Sequence, residues 1–257
     1  MPEIMNSYEN VILDWGIGGI NLLKAVKKRS NQAGILYLSD TGVTPYGKMS
    51  ALMLKKRIIQ IAEWLSTHYG TKQIWIGCNS LSSILGFAPS KTLKVSNGNI
   101  EIHGIIYPVI KFVNNIKADS VGVIGGRKTI QSRIYSNNLT GKKAISLETQ
   151  ELSGLIERGK IMTPKYVSLM KQIKSKFTGV DLFIPACTHY ELLASDLVKN
   201  LPETKLILPC KIAAESFPKM NENNLDDFFV TTGDATAMKK VVNKMYKMDI
   251  KPLQVNI

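Results

Sequence analysis

The sequence predicts an α/β protein of two similar lobes, with mainly parallel sheets facing each other across an active-site cleft. Three observations predict it. Short apolar runs of strand length alternate with amphipathic segments of helical period. The stretch after Ile102 repeats the theme of the first hundred residues. In each half an early strand ends in a glycine-rich turn, and a later one ends in a cysteine followed by small polar residues.

The predicted strands are NVILDW (10–15), GILYLSD (34–40), QIWIGCN (73–79), IHGIIYP (102–108), SVGVIGG (120–126), DLFIPACT (181–188) and KLILPC (205–210). Each is bounded by turn-forming residues, as buried strands usually are. Between them, apolar residues three and four apart predict helices over 20–28, 50–69, 161–177 and 235–248. The division expected is residues 1–101 plus 212–257 for the lobe carrying Asp14 and Cys78, and 102–211 for the lobe carrying Cys187 and His189. In open parallel sheets the site lies beyond the carboxyl ends of the strands, where DWGIGG (14–19), GCNSLSS (77–83), GVIGG (122–126) and ACTHYELL (186–193) all fall.

At 257 residues and 44% hydrophobic composition, the chain can bury a substantial core. No run approaches the ~18 apolar residues of a membrane span, and the N-terminal residues do not read as a secretory signal. The formal charge of +13 raises the question of nucleic acid. The lysines are spread along the chain without interleaved aromatics or a recognisable nucleic-acid motif, so a solvated basic surface is the better reading. Three cysteines, far apart and without a CxxC pair, argue against a disulfide framework and a structural zinc site. A reducing compartment fits them.

Each cysteine is then judged by its neighbours. Cys78 and Cys187 both stand where a strand gives way to polar residues, and a thiolate there is favoured by backbone N–H groups. A lone cysteine is usually a small core residue; two in matching contexts point to function. His189 follows Cys187 closely enough to share its proton. Asp14 ends the first strand as either a helix cap or an orienting group. GIGG is not the dinucleotide fingerprint GxGxxG, which argues against a nicotinamide cofactor. Asp40, Thr41 and Pro45-Tyr46-Gly47 form a polar loop, most simply a plain turn. His103, Trp64 and Trp75 read as core, and Cys210, with no acid or histidine beside it in sequence, as structural.

At these residues the chain resembles glutamate racemase, in the aspartate/glutamate racemase superfamily, nearly end to end. DWGIGG resembles the family's DSGVGG, DTGVTPYG (40–47) its DTARAPYG, and GCNSLSS its ACNTATA. GVIGGRKTIQSRIY (122–135) resembles GVIGTxATIxSGxY, and LIERG (155–159) resembles LVEEG. CTHYELL (187–193) resembles CTHYPLL, the most specific match, and FFVTTGD (228–234) resembles the C-terminal TGD segment. The resemblance implies that Cys78 and Cys187 are the catalytic cysteines, assisted by Asp14, His189 and Glu157. It places Pro45, Tyr46, Gly47, Asn79, Ser80, Thr129 and Thr188 around the substrate. It further implies no cofactor and no metal, a cytoplasmic homodimer, and supply of D-glutamate for peptidoglycan. CTHY argues against members acting on aspartate, hydantoins or decarboxylation substrates.

The chemistry needs this pairing. Inverting a carbon takes a base on one face and an acid on the other, and a thiol can serve as either. Without an electron sink, hydrogen bonds and exclusion of water must stabilise the carbanion. The chain also departs from the family. Trp15 stands where the family has a serine at the substrate's amino group, so either the indole turns away or the pocket is altered. Gly126 replaces a threonine, and Ser80 another. Tyr107-Pro108-Val109 stands for EPG and Leu208-Pro209-Cys210 for DSG. The competing expectation is a diverged paralogue with an altered substrate, such as aspartate, or one that only binds a ligand or protein.

Overall fold

The computed structural model describes residues 7–29, 33–218 and 225–257. The first half runs β1 (Asn10–Asp14), α1 (Ile20–Lys27), β2 (Leu36–Ser39), α2 (Ala51–Tyr69), β3 (Gln73–Ile76), α3 (Asn79–Ser82), β4 (Ser90–Val95), β5 (Gly98–Gly104) and α4 (Ile106–Asn114). The second runs β6 (Ser120–Gly125), α5 (Arg127–Gln131), α6 (Ile134–Asn138), β7 (Lys143–Glu148), α7 (Gln150–Glu157), α8 (Pro164–Phe177), β8 (Leu182–Ala186), α9 (Ala194–Asn200), β9 (Lys205–Leu206) and α10 (Pro209–Glu215). The chain closes with β10 (Phe228–Thr231), α11 (Ala235–Tyr246) and β11 (Leu253–Gln254).

Two sheets result. One has the order β11-β10-β2-β1-β3-β5-β4 and the other β7-β6-β8-β9. Every pairing is parallel except the β4–β5 hairpin at the edge of the first sheet. The α/β class with parallel-dominated sheets is as the sequence predicts. β10 and β11 return to the first sheet after the chain has built the second. The expected cuts at 101/102 and 211/212 both fall inside elements. β5 is hydrogen-bonded on both sides into the first sheet through Gly104, and α10 packs on α1 and α4.

β1, β2, β3, β6 and β8 are buried on both faces, which is why they read as continuous apolar runs. Side chains alternate along β1: Ile12 joins a core that also holds Val121, Val123 and Ile184 of the second sheet, with α1, α4 and α10 between. Val11 and Leu13 face the other way, onto Leu54, Ile58, Ile61 and Leu65 of α2. On the far side of the second sheet, Ile124 and Phe183 pack on α7 and α8. Helix ends follow the sequence. Ser50 caps α2 by accepting from Met53 N, and Gly70 ends it at φ 60°, a conformation suited to glycine. Thr163 with Pro164, and Asp234, begin α8 and α11 in the same manner.

Candidate active site

The carboxyl ends of β1, β3, β6 and β8 converge, and each delivers a predicted residue. Asp14 is the last residue of β1 and is buried. Its carboxylate accepts from Trp15 N at 2.6 Å and, across the cleft, from the Thr188 hydroxyl at 2.7 Å. It therefore joins the end of β1 to the residue that follows Cys187. Burial raises the Asp14 carboxyl above its ordinary value, and the nearby His189 charge and the Thr188 hydrogen bond pull the other way.

Cys78 precedes α3 directly. Burial pushes its thiol well up and the Asp14 charge adds to that, while N–H groups of Leu81 and Ser80 oppose it. The sulfur feels Cys187 electrostatically as well. A thiol so placed can donate a proton, with backbone N–H groups beside it to take up the charge it leaves.

Cys187 opens the tight helical turn Thr188–Leu193 that follows β8. Its sulfur lies 3.7 Å from His189 Nδ1, and His189 Nε2 lies 2.5 Å from Glu157 Oε2 at the end of α7. Glu157 also accepts from Ile17 N at 3.1 Å. Burial alone would lower the imidazole, but hydrogen bonds to Cys187 and Glu157 outweigh it and hold His189 well above its ordinary value. Thiol, imidazole and carboxylate thus lie in one chain, an arrangement that can assist a sulfur in proton transfer.

The lobes meet so closely here that the turn after β1 must be glycine. A Cβ on Gly16 would stand 2.3 Å from Glu157 Oε2, and one on Gly18 would stand 2.6 Å from Thr188 Oγ1 and 2.7 Å from His189 N. Gly18→Ala should therefore push the lobes apart. We expect a loss of about 1–3 kcal/mol, the usual range for overpacking, read as a lower urea midpoint; an unchanged midpoint would show that the interface yields freely.

Around this centre the Asn79 carbonyl accepts from the Tyr135 hydroxyl at 2.7 Å, while its buried Nδ2 has no hydrogen-bond partner among the described residues. An orphaned buried donor is costly unless something fills the cleft. Ser80 Oγ and Thr129 Oγ1, both buried, lie 3.4 Å apart. Trp15 turns its indole N–H onto Val43 O at 3.0 Å, so that donor is spent within its own lobe. Trp15, Pro45 and Glu157 line a cavity of about 420 Å³. Tyr46 is buried, with its hydroxyl on Asp40 Oδ2 at 2.6 Å, which anchors its loop. Gly47 lies against the side chain of Gln150.

Sequence reasoning did not single out Tyr135, Gln150 or Glu191. Tyr135 ends the quoted GVIGGRKTIQSRIY stretch, but nothing local shows that its hydroxyl orients Asn79. Glu191 stands beside Cys210 in space: its carboxylate accepts from Cys210 N at 2.5 Å at the start of α10. Burial raises Glu191 to about 7. All three cysteines are free. Among the described residues no cluster of His, Cys, Asp or Glu is arranged to hold a metal ion, and no helix is long and apolar enough to cross a membrane.

No family model matches the chain. It is 28% identical over 200 residues to the glutamate racemase of Aliarcobacter butzleri, covering 75% of each chain. It is 30% identical over 203 residues to that of Aquifex pyrophilus, covering 76% of each. Its fold matches the crystal structure of glutamate racemase from Francisella tularensis in complex with D-glutamate, at a TM-score of 0.81 and 22% identity, over 97% of this chain and 98% of that one. The class is thereby defined: an isomerase acting as an amino-acid racemase, on a two-lobed α/β fold. The chain belongs to the glutamate racemase family.

Proposed function

We propose that this chain interconverts L- and D-glutamate without a cofactor, with Cys78 and Cys187 carrying protons on opposite faces of the substrate carbon. The observation that carries the reading is the hydrogen bond from Thr188 to Asp14. It ties the residue after Cys187 to a carboxylate whose charge bears on Cys78, so two cysteine-bearing strand ends share one cleft. In this reading His189 and Glu157 assist Cys187, and Asp14 assists Cys78. Asn79 Nδ2, Ser80 and Thr129 supply donors to the substrate's α-carboxylate, and the hydroxyl oxygen of Thr188, whose proton goes to Asp14, accepts from its amino group. Trp15 and Pro45 wall the approach, and Tyr46 with Gly47 shapes the far side.

The Francisella protein was solved with D-glutamate, which favours that ligand class. The product would serve peptidoglycan synthesis. A cytoplasmic location and a homodimer belong to the same reading; Leu52, Met53 and Ile59 are exposed apolar side chains on α2, among the exposed Lys55 and Lys56. The two lobes of the proposal are best divided after Gly104 and before Pro209, outside β5 and α10.

The test is incubation with each glutamate enantiomer in deuterated water. We expect α-deuterium incorporation from both and convergence on the racemate. Exchange on aspartate and not on glutamate would favour the altered-substrate reading, in keeping with Trp15 and Gly126. A blank across the amino acids would leave only ligand binding.

A further inference from the structure

The side chain of Gln150, the first residue of α7, reaches from the second lobe to Gly47 of the first. Its carbonyl Oε1 accepts from Arg127 N at 3.1 Å, and its Nε2 donates to Ser153 Oγ at 3.2 Å. Two glycines from opposite lobes make room for it. A Cβ on Gly47 would stand 2.1 Å from Gln150 Oε1, and a Cβ on Gly126 would stand 2.8 Å from the same atom. Gly126 in turn lies beside Ser80, whose hydroxyl faces Thr129. Gln150 also lines the cavity shared by Trp15 and Glu157. The amide is thus wedged at the boundary between the polar floor of the cleft and its open approach.

We propose that Gln150 is a specificity-determining residue, whose clamped amide closes one end of the cleft and offers an N–H to the distal carboxylate of a dicarboxylic amino acid. The inference rests on the glutamate reading and deepens it. The chemistry follows from the bonds the amide already makes. Arg127 N holds the carbonyl, which leaves Nε2 with one hydrogen beyond its bond to Ser153, and an amide N–H is the natural partner of a carboxylate. A neutral donor accepts a charged distal group without holding a second charge in the empty cleft. Its length also bars a bulkier side chain. Gly126 is then part of the same device, since any larger residue there would displace the amide.

Steady-state kinetics on both glutamate enantiomers test this, with thermal unfolding as a control. Gln150→Leu removes the donor at similar size, and Gln150→Glu keeps an acceptor for Arg127 N while turning like charge on the substrate. For both we expect KM to rise about tenfold or more, with kcat within about twofold and the unfolding midpoint unchanged. Gly126→Ala should raise KM in the wild-type background and add nothing to Gln150→Ala, because it acts through the displaced amide. Unchanged KM in Gln150→Leu, or additive effects of Gly126→Ala and Gln150→Ala, would overturn the inference while leaving racemisation itself standing. Wild-type protein inert towards every amino acid would overturn the functional reading and this inference together.

Discussion

Cys78→Ala and Cys187→Ala each lose racemisation by about 10²–10⁴-fold, the range a positioned proton carrier contributes. The informative part is what remains. With one thiol left, a proton can be taken from and returned to only the face that thiol addresses. Each variant should then exchange the α-hydrogen of one enantiomer without inverting it, and the two variants should differ in which enantiomer that is. The asymmetry follows from placement. Cys78 stands on the first lobe over the N–H groups of Ser80 and Leu81, and Cys187 stands on the second beside His189. Nuclear magnetic resonance in deuterated water, run from each enantiomer separately, reads both quantities. If both variants exchange the same enantiomer, the assignment of one cysteine to each face fails. If neither loses inversion, the thiols are not the proton carriers.

What the sequence made legible was set by local physics. β1, β3, β6 and β8 are buried on both faces, so their apolar runs and terminal polar residues mark both strand and site. Four helices announce themselves by period, within a few residues of α1, α2, α8 and α11. Edge strands do not. β4, SKTLKV, is half-exposed and lysine-bearing, and only the Asn97-Gly98 turn that pairs it with β5 hints at a hairpin. Two apolar runs are cut short by their surroundings. IHGIIYP leaves the sheet at Gly104, where Ile105 N bonds Ser82 Oγ and α4 begins. KLILPC pairs only over Lys205–Leu206 before Pro209 starts α10. In the site, motif spacing located both cysteines, Asp14 and His189, because each is fixed by its own strand end. It could not foresee contacts made across the cleft. Thr188 on Asp14, Glu157 under Gly16, and Gln150 between Gly47 and Gly126 join residues more than twenty positions apart. Nor could it show that the Trp15 donor is spent on Val43.

The largest stability effect belongs to Arg57→Leu, which should cost about 3–5 kcal/mol, the usual penalty for stranding a buried charge. Asp40 is fully buried at the end of β2. Arg57 reaches it from α2 with two bonds, Nε to Oδ2 at 2.8 Å and Nη2 to Oδ1 at 2.5 Å. The hydroxyls of Tyr46 and Thr232 complete the set at 2.6 and 2.7 Å. The loop Pro45-Tyr46-Gly47 is thereby fastened to β2, to α2 and to the segment after β10. Removing the guanidinium leaves a carboxylate with neutral donors only. The midpoint of thermal unfolding should fall by on the order of 10 °C. Two comparisons separate this mechanism from lost packing. Asp40→Asn in the Arg57→Leu background should recover part of the loss, because an amide needs no countercharge. Lys72→Ala, which breaks the exposed pair of Lys72 with Glu9, should cost less than about 1 kcal/mol. The effect also reaches function. Tyr46 precedes Gly47, and Gly47 bears on Gln150, so a loosened Asp40 cluster should raise KM for glutamate before it changes kcat. A large drop in stability with KM unmoved would mean that the loop holds its place without Arg57, and that Asp40 serves the core alone.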